Sequence, residues 1–220
     1  MAVLDAVELY RFFHIGDDET AALRGVSLSL DAGETVALVG PSGSGKSTLI
    51  NCLTGLDEPD GGWVSINKER LTRRSETVRA RLRARTFGIM LQSGNLFQHL
   101  TIEDNIMFQM QIAGKTDAKR VLSLLEAVGI SHRGKSYPPT LSGGEIARAG
   151  LATVVAADPP ILIADEPTAE VDAQTEELLF ELFEHRKRTG LTTLLSTHSN
   201  ALALHADRII HIRDGRILDA

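Results

Sequence analysis

Eight consecutive residues constrain this chain more than any others. Gly40-Pro41-Ser42-Gly43-Ser44-Gly45-Lys46-Ser47 follows the pattern G-x-x-x-x-G-K-[ST]. Glu34 to Val39, just before it, reads as a buried strand, and Gly45 to about Thr54 reads as a helix. Glycines let the backbone turn so that its N–H groups point inward at phosphate oxygens. The following helix aims its positive N-terminal end at the same anion. Lys46 can then reach the β- and γ-phosphates of a nucleotide, and the Ser47 hydroxyl can ligate Mg2+.

The rest of the pattern surrounds that loop with α/β structure. Residues 3–9 and 25–30 read as short strands, Asp60-Gly61-Gly62 as a turn, and Trp63-Val64-Ser65-Ile66 as a further strand. Thr86 to Leu91 reads as a strand, residues 102–113, 117–128 and 143–157 as helices, and Ile161 to Ala164 as a strand buried on both faces of a parallel sheet. A helix over about 172–189, a strand over Thr192 to Ser196, and a hairpin turning at Asp214-Gly215 complete it. The expectation is one domain over 1–220, an α/β core with a helical insert at roughly 93–157.

At 43% hydrophobic and 24% charged residues the composition is that of a folded domain. The formal charge of −6 disfavours a general nucleic-acid binder, which needs a basic surface. Cys52 is the one cysteine, so an internal disulfide and a cysteine-based metal cluster are excluded. No apolar run approaches the ~20 residues that span a bilayer, and the first residues lack the features of a secretory signal. A role at a membrane would require docking on a separate spanning protein.

Ile161-Leu162-Ile163-Ala164-Asp165-Glu166 sets two acids at the end of a buried strand, where open α/β sheets bind ligands. Asp165 is suited to hold Mg2+, directly or through water, and Glu166 to orient or deprotonate an attacking water. Leu141-Ser142-Gly143-Gly144-Glu145 opens another helix, with Ser142 as its N-cap, which makes a second anion site.

Taken together, in this order and spacing, these motifs resemble an ABC ATPase: a P-loop NTPase core with a parallel sheet, an N-terminal antiparallel β subdomain and a helical signature subdomain. Leu141 to Glu145 resembles the family's LSGGQ signature. The resemblance implies ATP and Mg2+ as ligands, with Gly40 to Thr48 around the phosphates. It implies an ATP-dependent homodimer in which Ser142, Gly143, Gly144 and Glu145 of one copy close over the nucleotide of the other, an isologous arrangement. It further implies Gln92 as a contact to Mg2+ and water, His198 as the switch histidine at the γ-phosphate, Asp172 as the interface aspartate, and Phe13 stacking on adenine, with Tyr10 as a rival. Ser47, Gln92 and Asp165 form the implied metal set; Lys46, Gln92, Glu166 and His198 the catalytic one.

The sequence departs from the family pattern at Glu145, where glutamine is usual, at Thr153, near the place of a second arginine, and in Ala169-Glu170-Val171-Asp172. A carboxylate at a helix N-terminus is favourable locally, yet close to phosphate it repels. The arginine cluster Arg79, Arg81, Arg83 and Arg85 suits either anionic lipid or a solvated helix face balanced by acids. Ser93 to Thr101 and the helices after it resemble the groove that receives a transmembrane permease subunit. The likeness to macrolide-efflux and lipoprotein-release ATPases implies export or extraction at the cytoplasmic side of the inner membrane, with no nucleic acid. The alternative is a soluble ABC ATPase acting on DNA or ribosomes; the chain has neither the second cassette nor the coiled-coil or zinc-binding insertion those relatives usually carry.

Overall fold

Strand residues alternate between two hydrophobic clusters, and this alternation organises the molecule. Along β3 (Thr35–Val39), Val36 and Leu38 enter one cluster while Ala37 enters the other; along β7 (Ile161–Asp165), Ile161 and Ile163 face one side, Leu162 and Ala164 the other. Side chains of successive strand residues point to opposite faces, so a strand apolar at every position is covered on both. A computed structural model describes residues 1–15, 18–92, 94–169, 171–198 and 200–219.

One sheet is mainly parallel. Its order is β10 (Arg216–Asp219), β9 (Arg208–Arg213), β3, β8 (Thr192–Thr197), β7, β6 (Phe87–Met90), with β10 antiparallel to β9 and the remaining pairs parallel. The other sheet is antiparallel, in the order β2 (Asp18–Asp31), β1 (Ala2–Ile15), β4 (Gly61–Ile66), β5 (Glu69–Arg70). Leu4, Leu9 and Leu30 from the antiparallel sheet share a cluster with Leu49 and Leu53 of α1 (Lys46–Thr54) and with Leu194 and Ile210 of the parallel sheet. The opposite face carries α3 (Ile102–Ile112), α4 (Ala118–Ala127), α5 (Gly143–Val155) and α6 (Ala173–Arg188), through Ile106, Leu125, Ala152 and Leu179 among others. The chain leaves β6, runs through α3 to α5, and returns in β7, which pairs directly with β6. A short α7 (Asn200–Ala203) follows β8.

Three strands differ from expectation. Strands β1 and β2 are far longer than 3–9 and 25–30, because cross-strand pairing runs on through several bulges. Gly61 and Gly62 lie inside β4 rather than in a turn. Between Val7 and Tyr10, β1 carries one residue more than the β4 stretch facing it, with Glu8 at φ 50°. Gly62, at φ 79°, accommodates that bulge; a Cβ there would collide with the Glu8 carbonyl oxygen.

The arginine-rich stretch forms α2 (Glu76–Thr86), which has no buried residue. Arg79 pairs with Glu58 and Glu76 at 2.7 Å each, and Arg83 with Glu76 at 2.8 Å. Two of the four arginines are thus matched to acids, as on a solvated face. Trp63 is a strand residue beneath the Arg70 guanidinium, and Met90 and Met110 are core.

Candidate nucleotide site

Four parallel strands deliver the implied residues to one rim of the sheet. β3 runs into Gly40, β6 into Leu91 and Gln92, β7 into Asp165 and Glu166, and β8 into His198. A cleft of about 890 Å³ opens there, walled by Ser42 to Thr48, Gln92, Glu166, Ala169 and His198, with Thr20 to Ala22, Arg24 and the Asp214-Gly215 turn on the other side.

The loop is built for close backbone approach. Gly43 and Gly45 have φ of 77° and 104°, and a Cβ on Gly45 would lie 2.6 Å from the Ala22 carbonyl oxygen. Gly215 N–H donates to the Ser44 carbonyl at 3.0 Å and Arg24 N–H to the Gly215 carbonyl at 2.8 Å, so the C-terminal hairpin braces the loop. Helix α1 has no acid in its first turn and no side-chain cap, leaving its positive end to a ligand. Lys46, largely buried, donates from Nζ to the carbonyls of Gly40 (2.8 Å) and Pro41 (3.3 Å).

The acids follow from β7 and β8. Asp165 is buried and accepts a hydrogen bond from Ser196 Oγ. Ser196 Oγ and its carbonyl each lie 3.1 Å from the Glu166 N–H, and Glu166 takes φ 49°, a left-handed conformation that turns its side chain toward the cleft. Its two oxygens have different partners: Oε1 is 3.4 Å from Lys46 Nζ, and Oε2 is 2.8 Å from His198 Nδ1. A cation, a carboxylate and an imidazole thus meet on the wall of the cleft. Ser47 and Gln92 also line it; Asp165 does not.

The remaining implied residues stand elsewhere. Ser142 caps α5 in a reciprocal box: its Oγ is 3.4 Å from the Glu145 N–H, and Glu145 Oε2 accepts from Ser142 N–H at 2.8 Å. The Ser142 N–H, then Arg133, then the Ser142 hydroxyl hold the Glu145 carboxyl down at about 2. Asp172 caps α6 by accepting from Thr175 N–H at 2.7 Å, and Arg148 Nη1 donates to it at 3.0 Å; bonds from Thr175, then Arg148, hold its carboxyl below the usual range. A Cβ on Gly144 would collide with Asp172 Oδ2, so the α5 and α6 N-termini are packed together. None of Ser142 to Glu145 or Asp172 lines the cleft. Phe13 does not line it either, and the Arg11 guanidinium lies 4.8 Å over its ring. Tyr10 stacks on Phe12 at 6.4 Å and is likewise absent from the wall. Ser93, Glu170 and Ser199 lie outside the described residues.

A family model described as ABC transporter matches residues 23–169. The chain belongs to the ABC transporter family. It is 39% identical to an uncharacterized ABC transporter ATP-binding protein of Thermotoga maritima, over 98% of this chain and 93% of that one. It is 37% identical to the lipoprotein-releasing system ATP-binding protein LolD of Acinetobacter baylyi, over 99% and 97%. Among solved structures, a dimeric ATP-binding cassette in a post-hydrolysis state bound to ADP and Pi superposes with a TM-score of 0.93 at 29% identity, covering 98% of this chain and 97% of that one. The chain is therefore an ATP-binding, ATP-hydrolysing subunit of this family, and among the described residues no helix is long and apolar enough to cross a membrane.

Several residues that line or brace the cleft gave no signal of that placement in the sequence. Ser196, which binds both Asp165 and Glu166, looks like any strand serine. Arg24 lies in a strand without a motif. Asn95 bonds both the N–H and the carbonyl of Leu91 (2.8 and 2.7 Å), fixing the residue before Gln92.

Proposed function

We propose that this chain powers a transporter by hydrolysing ATP between two copies of itself, with Glu166 organising the attacking water. The supporting observation is that Glu166 stands on the cleft wall 2.8 Å from His198 and 3.4 Å from Lys46. Lys46 and the loop N–H groups hold the β- and γ-phosphates. Glu166 accepts the proton of the water or orients it, and His198 fixes the carboxylate and meets the γ-phosphate. Ser47, Gln92 and Asp165 offer a hydroxyl, an amide oxygen and a carboxylate, an all-oxygen donor set that suits Mg2+. When bound, that ion neutralises charge on the phosphate oxygens. Phosphoryl transfer depends on positioning and electrostatics more than on covalent help, which is what this donor set supplies.

Ser142 to Glu145, at the N-terminus of α5, and Asp172, packed beside it, act on the nucleotide of a second copy. A separate membrane permease docks at residues 94–101, where Phe97, half exposed, packs edge-on against Phe108 at 5.2 Å. Such a chain sits peripherally at the cytoplasmic face of the inner membrane, and the likeness to LolD supports export or extraction. The soluble reading, on DNA or ribosomes, gains no support from the relatives described above.

Glu166→Gln tests the assignment. ATP should still bind, turnover should fall by about 10²-fold or more, and size-exclusion chromatography with ATP should show a trapped dimer. Turnover at the parent rate would remove Glu166 from its role.

A further inference from the structure

Glu145 poses a problem for the function proposed above, on which this inference rests. If the N-terminus of α5 closes over a partner copy's nucleotide, a carboxylate in its first turn opposes the triphosphate. Both Glu145 oxygens are already engaged, however. Oε2 accepts from the Ser142 N–H (2.8 Å) and lies 2.9 Å from the Ser142 hydroxyl, and Oε1 accepts from Arg133 Nε at 2.7 Å. His132 Nε2 stands 3.6 Å from the same oxygen, beyond hydrogen-bonding distance. The Glu145 side chain is 12% exposed, so the capping box and Arg133 hold it largely out of solvent. Gly143, beside it, has open space where a Cβ would go.

Arg133 belongs to a single 3-10 turn, Ser131–Arg133. That segment is secured without the Arg133 side chain. Ser136 N–H donates to the Arg133 carbonyl (2.8 Å), Ile102 N–H to the Ser136 carbonyl (3.0 Å), and Glu103 N–H to the Gly134 carbonyl (2.9 Å). The guanidinium is therefore free of a scaffolding task, and Glu145 is the partner it reaches.

We propose that Arg133 is a positioning residue for nucleotide-driven pairing: it holds the Glu145 carboxylate back against Ser142 and cancels its charge, so that the α5 N-terminus receives the phosphates of the partner copy. Arginine suits this task because its charge persists at every working pH and its Nε–H gives the carboxylate a charge-assisted hydrogen bond.

A double-mutant cycle in the Glu166→Gln chain tests this, reading the ATP concentration that gives half-maximal dimer by sedimentation velocity. Arg133→Ala should raise that concentration by about tenfold or more, since removing one partner leaves the other charge uncompensated at the interface. In the E145Q background the same substitution should cost less than about twofold, the signature of a direct coupling. Arg133→Gln, which keeps most of the bulk, should repeat the pattern, and thermal melting confirms that each variant folds. An equal cost in both backgrounds, or no cost in either, overturns the proposal. If the Glu166→Gln parent itself forms no dimer with ATP, the paired-site reading falls and takes this inference with it. That outcome is distinct, because it precedes any change at Arg133.

Discussion

At the scale of single residues, several of the site's side chains are held by a partner distant in the chain. Gly40 to Ser47 and Asp165-Glu166 were legible in the sequence because their chemistry is contiguous: glycines, lysine and hydroxyl in one loop, two acids at one strand end. The support was not legible. Ser196 lies 31 positions from Asp165, Arg148 lies 24 from Asp172, and Arg133 lies 12 from Glu145. A serine in a strand, or an arginine in a loop or along a helix, carries no mark of such a partner. Cys52, on α1, is fully buried. Burial, with Asp57 nearby, pushes its thiol up to about 12. In native protein at pH 8, Cys52 should react with a disulfide reagent at least about 100-fold more slowly than in urea, because the thiolate is the reactive form. Equal rates would show that α1 opens readily.

At the scale of elements, the joint between α6, β7 and β8 depends on one buried cation. Arg186, 2% exposed, donates to the carbonyls of Pro159 (3.1 Å) and Thr192 (2.9 Å) and to the Thr193 hydroxyl (3.1 Å). Burial pulls its guanidinium down to about 10, so it remains charged at neutral pH and is stabilised there by neutral oxygens. Arg186→Ala should cost about 3 kcal/mol, because buried acceptors are left unsatisfied and a cavity opens. A urea midpoint unchanged from the parent would contradict that account. The β1–β4 bulge makes a second element-scale prediction. Gly62→Ala should destabilise by ~2 kcal/mol or more in the same measurement, since the position needs positive φ and has no room for a methyl group. Composition alone made Gly61-Gly62 resemble a turn; only the facing bulge at Glu8 explains why glycine stands inside a strand.

At the scale of the whole molecule, an ion pair between Glu34 and Arg208, 2.7 Å apart, joins the two terminal regions. Arg208 holds the Glu34 carboxyl below its usual range, and the Ser142 N–H and Arg133 hold that of Glu145 down at about 2. A carboxylate whose folded value lies below its unfolded value stabilises the fold fully above the unfolded value of ~4, and loses that contribution as pH falls toward the folded value. The melting temperature should therefore drop below about pH 4 and continue to fall toward pH 2. Glu145→Gln should flatten the lower part of that decline, and a parallel decline in both chains would remove Glu145 as a contributor. The alternation of β3 and β7 made the two-faced sheet readable in advance, whereas sheet order was not, because no local pattern states which strands become neighbours. The path of the chain between β6 and β7 has a mechanical consequence. The helices depart from the rim that carries Gln92 and Glu166, and they rejoin the sheet at Ile161, on the far rim. Under the docking proposed above, a load on α3 would reach the cleft by a short route through Leu91 and by a long one through the full length of β7. On the function proposed above, the helical block would act as a lever whose near end, at Gln92, stands on the wall of the nucleotide cleft.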